Sequence, residues 1–169
     1  MARIKETVFD AGPFMHLEEI KKFNLVQLFI KILTTNEVIE ECREINKIIN
    51  NFTNIINKNL TAKSKDFAKY ILEEYNIDLG EATAIALCKQ ENINLFFTND
   101  IEAKQTAYSL GFEAHGTLAI LLRSYRENLL TKEEVKSSVN DLYNNSTLFL
   151  TKELMEWTMK EIENFVRKV

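Results

Sequence analysis

The stretch that decides the reading is ETVFDAGPF, residues 6–14. Thr7, Val8 and Phe9 are β-branched or aromatic, the make-up of a buried strand, and they run straight into Asp10. Gly12-Pro13 then opens a helix, because proline is tolerated in a first turn, where the N–H has no intrahelical partner. The expectation is a strand over about 6–10 followed at once by a helix. LFFTND, residues 95–100, repeats the arrangement: a strand over 93–98, then Asp100, then a helix over 100–110. Two apolar strands each drive into a carboxylate.

The rest of the chain fits around these two units. Only four Gly and one Pro interrupt 169 residues, so helices should dominate. A short apolar run, Phe29 to Leu33, precedes Asn36, read as the cap of a helix through about 48. A short strand is expected near 52–56, and helices over 62–75 and 80–91. Gly111 stops the 100–110 helix, 112–115 form an edge strand, and Gly116-Thr117 opens another helix that Thr117 caps. Helices over 131–143 and 151–168 complete the chain, and in the last one Leu154, Trp157 and Phe165 serve either the core or a dimer face. Short strands alternating with helices describe an α/β fold with a small parallel sheet. One domain is expected over 1–169, with a core at about 6–128 and a C-terminal helical extension at about 131–169.

Bulk properties remove several classes. At 46% hydrophobic and 27% charged the chain is neither disordered nor membrane-like, and no apolar run approaches the roughly 20 residues that span a bilayer. MARIKETVFD has no apolar stretch of signal-peptide length, so a cytoplasmic location is expected. Net charge −4 argues against a surface that grips nucleic acid everywhere, but 21 Lys and Arg can still form a local basic patch. Cys42 and Cys88 read as reduced core residues, and two histidines without a Cys-x-x-Cys make structural zinc improbable. No glycine-rich phosphate loop is present, which disfavours a nucleotide cofactor.

In an open parallel sheet, functional groups gather beyond the carboxyl ends of the strands, where Asp10 and Asp100 stand. Either acid alone reads most simply as a helix cap; the pair suggests more. Glu41 flanks the apolar face Val38, Cys42, Ile45 and Ile49, whereas Glu40 points to solvent. Glu81 shares a stripe with Ile85 and Cys88, so its charge needs a partner: a salt bridge or a shared divalent cation. Four converging carboxylates without His or Cys suit Mg²⁺ or Mn²⁺, and such a site suits phosphoryl chemistry.

These residues resemble a known family. VFDAGPFMHLEEI (8–20), LGEATAIALC (79–88) and LFFTNDIEAKQTAYSLGFEAHGTLAILL (95–122) are similar to the motifs of PIN-domain proteins, in order and spacing, over about residues 6–150. The resemblance implies a three-layer α/β/α sandwich with a metal-dependent ribonuclease site, akin to toxins of toxin–antitoxin pairs. It places Asp10, Glu41 (in VIEEC), Glu81 and Asp100 as catalytic acids, with Asp10, Glu81 and Asp100 as metal ligands. Thr98, Asn99 and Glu102 are auxiliary candidates. Lys104 falls where the prokaryotic branch that opens on an Asp-Ala-Gly/Ser-Pro motif often has an arginine, and it is the first candidate for gripping RNA, ahead of Lys21, Lys22 and Arg123. Thr83 and Asn99 stand where many relatives carry acids. The expected partners are single-stranded RNA, an antitoxin protein and a second copy of the chain. The alternative is a catalytically weak or inactive module that binds RNA or protein.

Overall fold

The computed structural model describes residues 4–165. β1 (Ile4–Phe9) leads into α1 (Ala11–Glu19), with Asp10 as the residue between them. A 3-10 turn, Phe23–Leu28, precedes β2 (Phe29–Thr34). Then come α2 (Asn36–Glu41), a 3-10 turn (Arg43–Ile45), α3 (Asn46–Ile49) and β3 (Ile55–Asn57). α4 (Ala62–Glu74) and α5 (Leu79–Glu91) lead to β4 (Leu95–Phe97), α6 (Ile101–Ser109) and β5 (Glu113–His115). α7 (Thr117–Arg126), α8 (Lys132–Asn145) and α9 (Lys152–Asn164) follow. Residues 166–168 of the expected last helix lie outside the described residues.

Three local readings are corrected. The helix expected over 36–48 is broken at Cys42, which leaves Glu41 as the last residue of α2. Its cap is Thr35, whose hydroxyl accepts the Val38 N–H at 3.3 Å. Asn36 instead exchanges side-chain hydrogen bonds with Asn57 and Asn59. Thr117 is the first residue of α7 and not its cap. β3 starts at Ile55 because Phe52 packs its ring on Phe23, 5.2 Å between centroids, and does not join the sheet.

All five strands are parallel, in the order β3-β2-β1-β4-β5. Helices pack around this sheet to give the expected α/β/α sandwich. From β1 the chain steps outward one way through β2 and β3, and later the other way through β4 and β5. The direction therefore reverses between β1 and β4, and the crevice beyond their carboxyl ends is where such sheets bind ligands. The core beneath is aromatic. Phe9 lies 5.1 Å from the rings of Phe14, Phe29 and Phe97, and each tilted or edge-on pair contributes about 0.5–1.5 kcal/mol beyond its burial. α5 is buried from Gly80 through Cys88, packed between the sheet and α2, α4 and α6.

Two ties fasten the periphery. Glu19, at the end of α1, accepts both the Thr147 N–H at 3.0 Å and its hydroxyl at 2.6 Å. Those bonds hold its carboxyl below the usual range, against a desolvation that would raise it. At the sheet edge, the Tyr108 hydroxyl donates to the Ala114 carbonyl at 2.6 Å. Glu113 N–H and His115 C=O bond inward to β4, so Ala114 is the residue of β5 whose backbone faces out.

Candidate active site

Asp10 is the floor of the crevice. Its N–H bonds to the Phe97 carbonyl at 2.9 Å, which continues the β1–β4 ladder one residue past both strands. The side chain is only 5% exposed. Thr98 donates its hydroxyl to Asp10 Oδ2 at 2.9 Å and accepts the Asp100 N–H at 3.2 Å. Thr98 thus orients one acid with its proton and the other with its lone pair. Asp10 Oδ1 is buried without a hydrogen-bond partner. A buried carboxylate oxygen left bare is costly, and functional sites are where such atoms are found.

Glu81 is the second buried acid, 7% exposed. It forms no salt bridge among the described residues. It closes a capping box instead: its Oε2 accepts the Asp78 N–H at 3.0 Å, and Asp78 Oδ1 accepts the Glu81 N–H at 2.9 Å. Asp78 is therefore a fifth acid of the crevice, absent from the sequence reading. Asp-x-x-Glu before an apolar run is a legible cap signature, so the signal for it was there. Glu41 stands on the exposed rim and takes a backbone hydrogen bond from Gly80. A side chain on residue 80 would put its Cβ 2.0 Å from Glu41 Oε1, so glycine is what lets that carboxylate in.

Burial, reinforced by neighbouring negative charge, raises three of these acids. Asp10 is pushed up to about 6, Glu41 to about 7 and Glu81 to about 8. The charges acting on them are Asp10, Asp78 and Asp100, and among the described residues none is positive. Asp100 caps α6, its Oδ1 accepting the Ala103 N–H at 2.8 Å, and its charge is felt at Asp10 and Glu81. Asp10 thus lies within electrostatic reach of the other three acids expected from the sequence and of Asp78.

The auxiliary candidates divide. Asn99 is a clasp for α7: its Oδ1 accepts the Thr117 N–H at 2.9 Å, and its Nδ2 donates to the Thr117 hydroxyl at 2.8 Å. Gly116 has no side chain to cap that helix, and a Cβ there would strike Asn99 Oδ1 at 2.5 Å. Asn99 supplies the missing cap from another strand end. Thr83, buried at 3%, donates to the Gly80 carbonyl at 3.0 Å. Its one proton being so used, Thr35 is the donor in the 2.9 Å Thr35–Thr83 bond. Glu102 is exposed and accepts from Asn76 at 2.7 Å. Lys104 is partly buried beside Gly116, its pKa lowered by desolvation with Asp100 pulling the other way. His16 pairs with Glu19 at 3.0 Å, and His115 with Glu113 at 2.6 Å. Cys42 and Cys88 are free, buried thiols; burial pushes Cys42 up to about 12.

Among the described residues, no three His, Cys, Asp or Glu side chains meet closely enough to form a ready metal cluster. The reason is visible in the bonds above: Glu81 is turned back onto Asp78, and Glu41 onto Gly80. The donor set nevertheless suits a hard cation. It is all oxygen, its charge is uncompensated, and Asp10 Oδ1 has no partner.

The family model for the PIN domain matches residues 6–164, so the chain belongs to the PIN-domain family. Members are generally nucleases that work with divalent metal ions. No curated protein matches the chain. Among the described residues no helix is long and apolar enough to cross a membrane.

Proposed function

We propose that this chain is a metal-dependent endoribonuclease of the cytoplasm, acting on single-stranded RNA as the toxin of a toxin–antitoxin pair. The observation that carries the reading is Asp10: buried at the point where the sheet reverses direction, bare at Oδ1, and ringed by negative charge. Asp10, Glu81 and Asp100 would hold Mg²⁺ or Mn²⁺, with Glu41 alongside. When bound, such an ion acidifies water and stabilises charge on the phosphate oxygens. Thr98 keeps Asp10 and Asp100 aimed into the crevice, and Lys104 meets the RNA backbone at its edge.

The test is cleavage of mixed single-stranded RNA by purified protein in Mg²⁺ or Mn²⁺, with chelator and with Asp10→Asn. Cleavage that needs the ion and disappears in Asp10→Asn supports the reading. Intact RNA across both ions removes it.

One observation favours a second reading, a binding module without catalysis. Asn99 and Thr83, at positions where many relatives carry acids, are both committed to structural hydrogen bonds. RNA binding without cleavage, equal in the parent and Asp10→Asn, would establish it.

A further inference from the structure

A groove of about 610 Å³ lies between α6, β5 and α7 on one side and the 148–151 segment with α9 on the other. Ten large hydrophobic side chains are exposed among the described residues, and five of them line this groove. Three are aromatic: Phe149 at 85%, Tyr108 at 55% and Trp157 at 53% exposed. Three cations join them, Lys104, Arg123 and Arg126, and no Asp or Glu is among the lining residues. In a chain with 25 acids and net charge −4, that local sign is opposite to the whole. Arg123 is paired with Glu127 at 2.6 Å and Arg126 lies over the Phe165 ring, so both guanidinium groups are held beside the groove.

The groove adjoins the site of acids. Asn99 and Gly116 line it, and Asn99 is also the residue nearest to Gly12 in the first turn after Asp10. Lys104 lines it from the helix that Asp100 caps. Exposed aromatic faces interleaved with cations, beside a phosphodiester-cutting site, are the elements of a single-strand platform: bases stack on rings while the backbone follows the positive charge. We infer that this groove is a nucleobase-stacking subsite, in which Trp157, Phe149 and Tyr108 hold unpaired bases of an RNA whose backbone passes Lys104 toward the acids. The inference rests on the ribonuclease reading for the direction of the strand, and it places part of the RNA grip on the C-terminal residues. The open rings, three cations and the lack of any Asp or Glu in the lining favour a polyanion with flat bases over a second copy of this acidic chain.

Trp157 is the only tryptophan, so its fluorescence reports directly on the groove. The experiment titrates oligouridine and oligoadenosine into Asp10→Asn protein in chelator, reads Trp157 emission, and follows affinity by anisotropy of a labelled strand. Quenching that saturates with binding is expected, stronger for adenosine. Trp157→Ala and Phe149→Ala, both at exposed positions, should each weaken binding about 5- to 100-fold, with Trp157→Phe restoring most of it. RNA that binds, or is cut by the parent, while Trp157 emission and both variants stay unchanged overturns the subsite and leaves the nuclease reading standing. Quenching and variant losses without cleavage by the parent keep the subsite and remove the nuclease. Emission that responds only to protein concentration, or only to an acidic amphipathic peptide, assigns the groove to a protein partner and overturns the inference.

Discussion

The Thr98 hydroxyl, at the end of β4, donates to Asp10 Oδ2, at the end of β1, across 2.9 Å and 88 positions of sequence. It ties the floor acid to the neighbouring strand end, and the Thr98 oxygen also accepts the Asp100 N–H. Thr98→Val keeps the shape and deletes both interactions. The expected cost is about 1–2 kcal/mol by urea unfolding, since one buried bond reaches a carboxylate. Asp10 should also titrate higher still, because this bond lowers it. Metal-dependent cleavage should then need a more alkaline buffer; an unchanged pH profile would count against the orienting role.

Without divalent ions the protein should lose stability as pH rises. Asp10, Glu41 and Glu81 bind protons more tightly folded than unfolded, so their contribution is complete below about pH 4 and is lost as pH passes through about 6, 7 and 8. For Asp10, the buried member, the change is about 3 kcal/mol. The carboxyls shifted downward, Glu19, Glu134 and Glu163, act only at lower pH. Chelator-treated protein should therefore unfold at higher urea at pH 5 than at pH 8. Asp10→Asn should flatten this slope, and Mn²⁺ should restore stability most at pH 8, where the acids are ionised.

Gly80→Ala should separate the site from the fold. The added methyl displaces only the end of the Glu41 side chain, and alanine is the better helix former by about 1 kcal/mol. Thermal stability should hold or rise slightly while Mn²⁺ affinity and cleavage fall. A loss of stability with cleavage intact would mean that Glu41 is not part of the site.

Asn99 has a structural duty, and its replacements should show it. Asn99→Ala strips both bonds from Thr117, which is fully buried, and should cost about 1–3 kcal/mol. Asn99→Asp keeps the acceptor for the Thr117 N–H, lets the Thr117 hydroxyl turn to donate, and places a charge at a helix N-terminus. It should fold as well as the parent and bind Mn²⁺ more tightly. Calorimetry of both variants checks the pair.

Lys104→Glu should weaken RNA binding without altering the fold. If Lys104 meets one phosphate, the log–log salt slope should shrink by about 0.7, the single-strand value per contact. An unchanged slope would move the contact elsewhere.

The sequence showed Asp10 and Asp100 because each ends an apolar run, and strand composition is local. Glu81 shares a stripe with Ile85 and Cys88, but α5 is buried on all sides from 80 to 88, so burial alone does not single it out. What marks it is the capping box with Asp78, a signal two residues before the helix was expected to begin. Thr35 and Asn36 are both good caps in the sequence, and the choice is made by Thr83, 48 positions away. Among the C-terminal residues read as core or dimer face, Phe165 packs on Tyr125 at 5.5 Å, whereas Leu154 and Trp157 face the groove. That division depends on how residues 148–151 lie against α7, which no periodicity encodes.

The Tyr108 hydroxyl on Ala114 has a consequence for assembly. An incoming strand would pair with the outward backbone of β5, where the Ala114 carbonyl already accepts one hydrogen bond, from the Tyr108 hydroxyl. A sixth strand would have to share that carbonyl with the phenol or displace it. The margin of the sheet is thus partly occupied by its own side chain, which discourages strand-to-strand polymerisation of a chain rich in apolar strands.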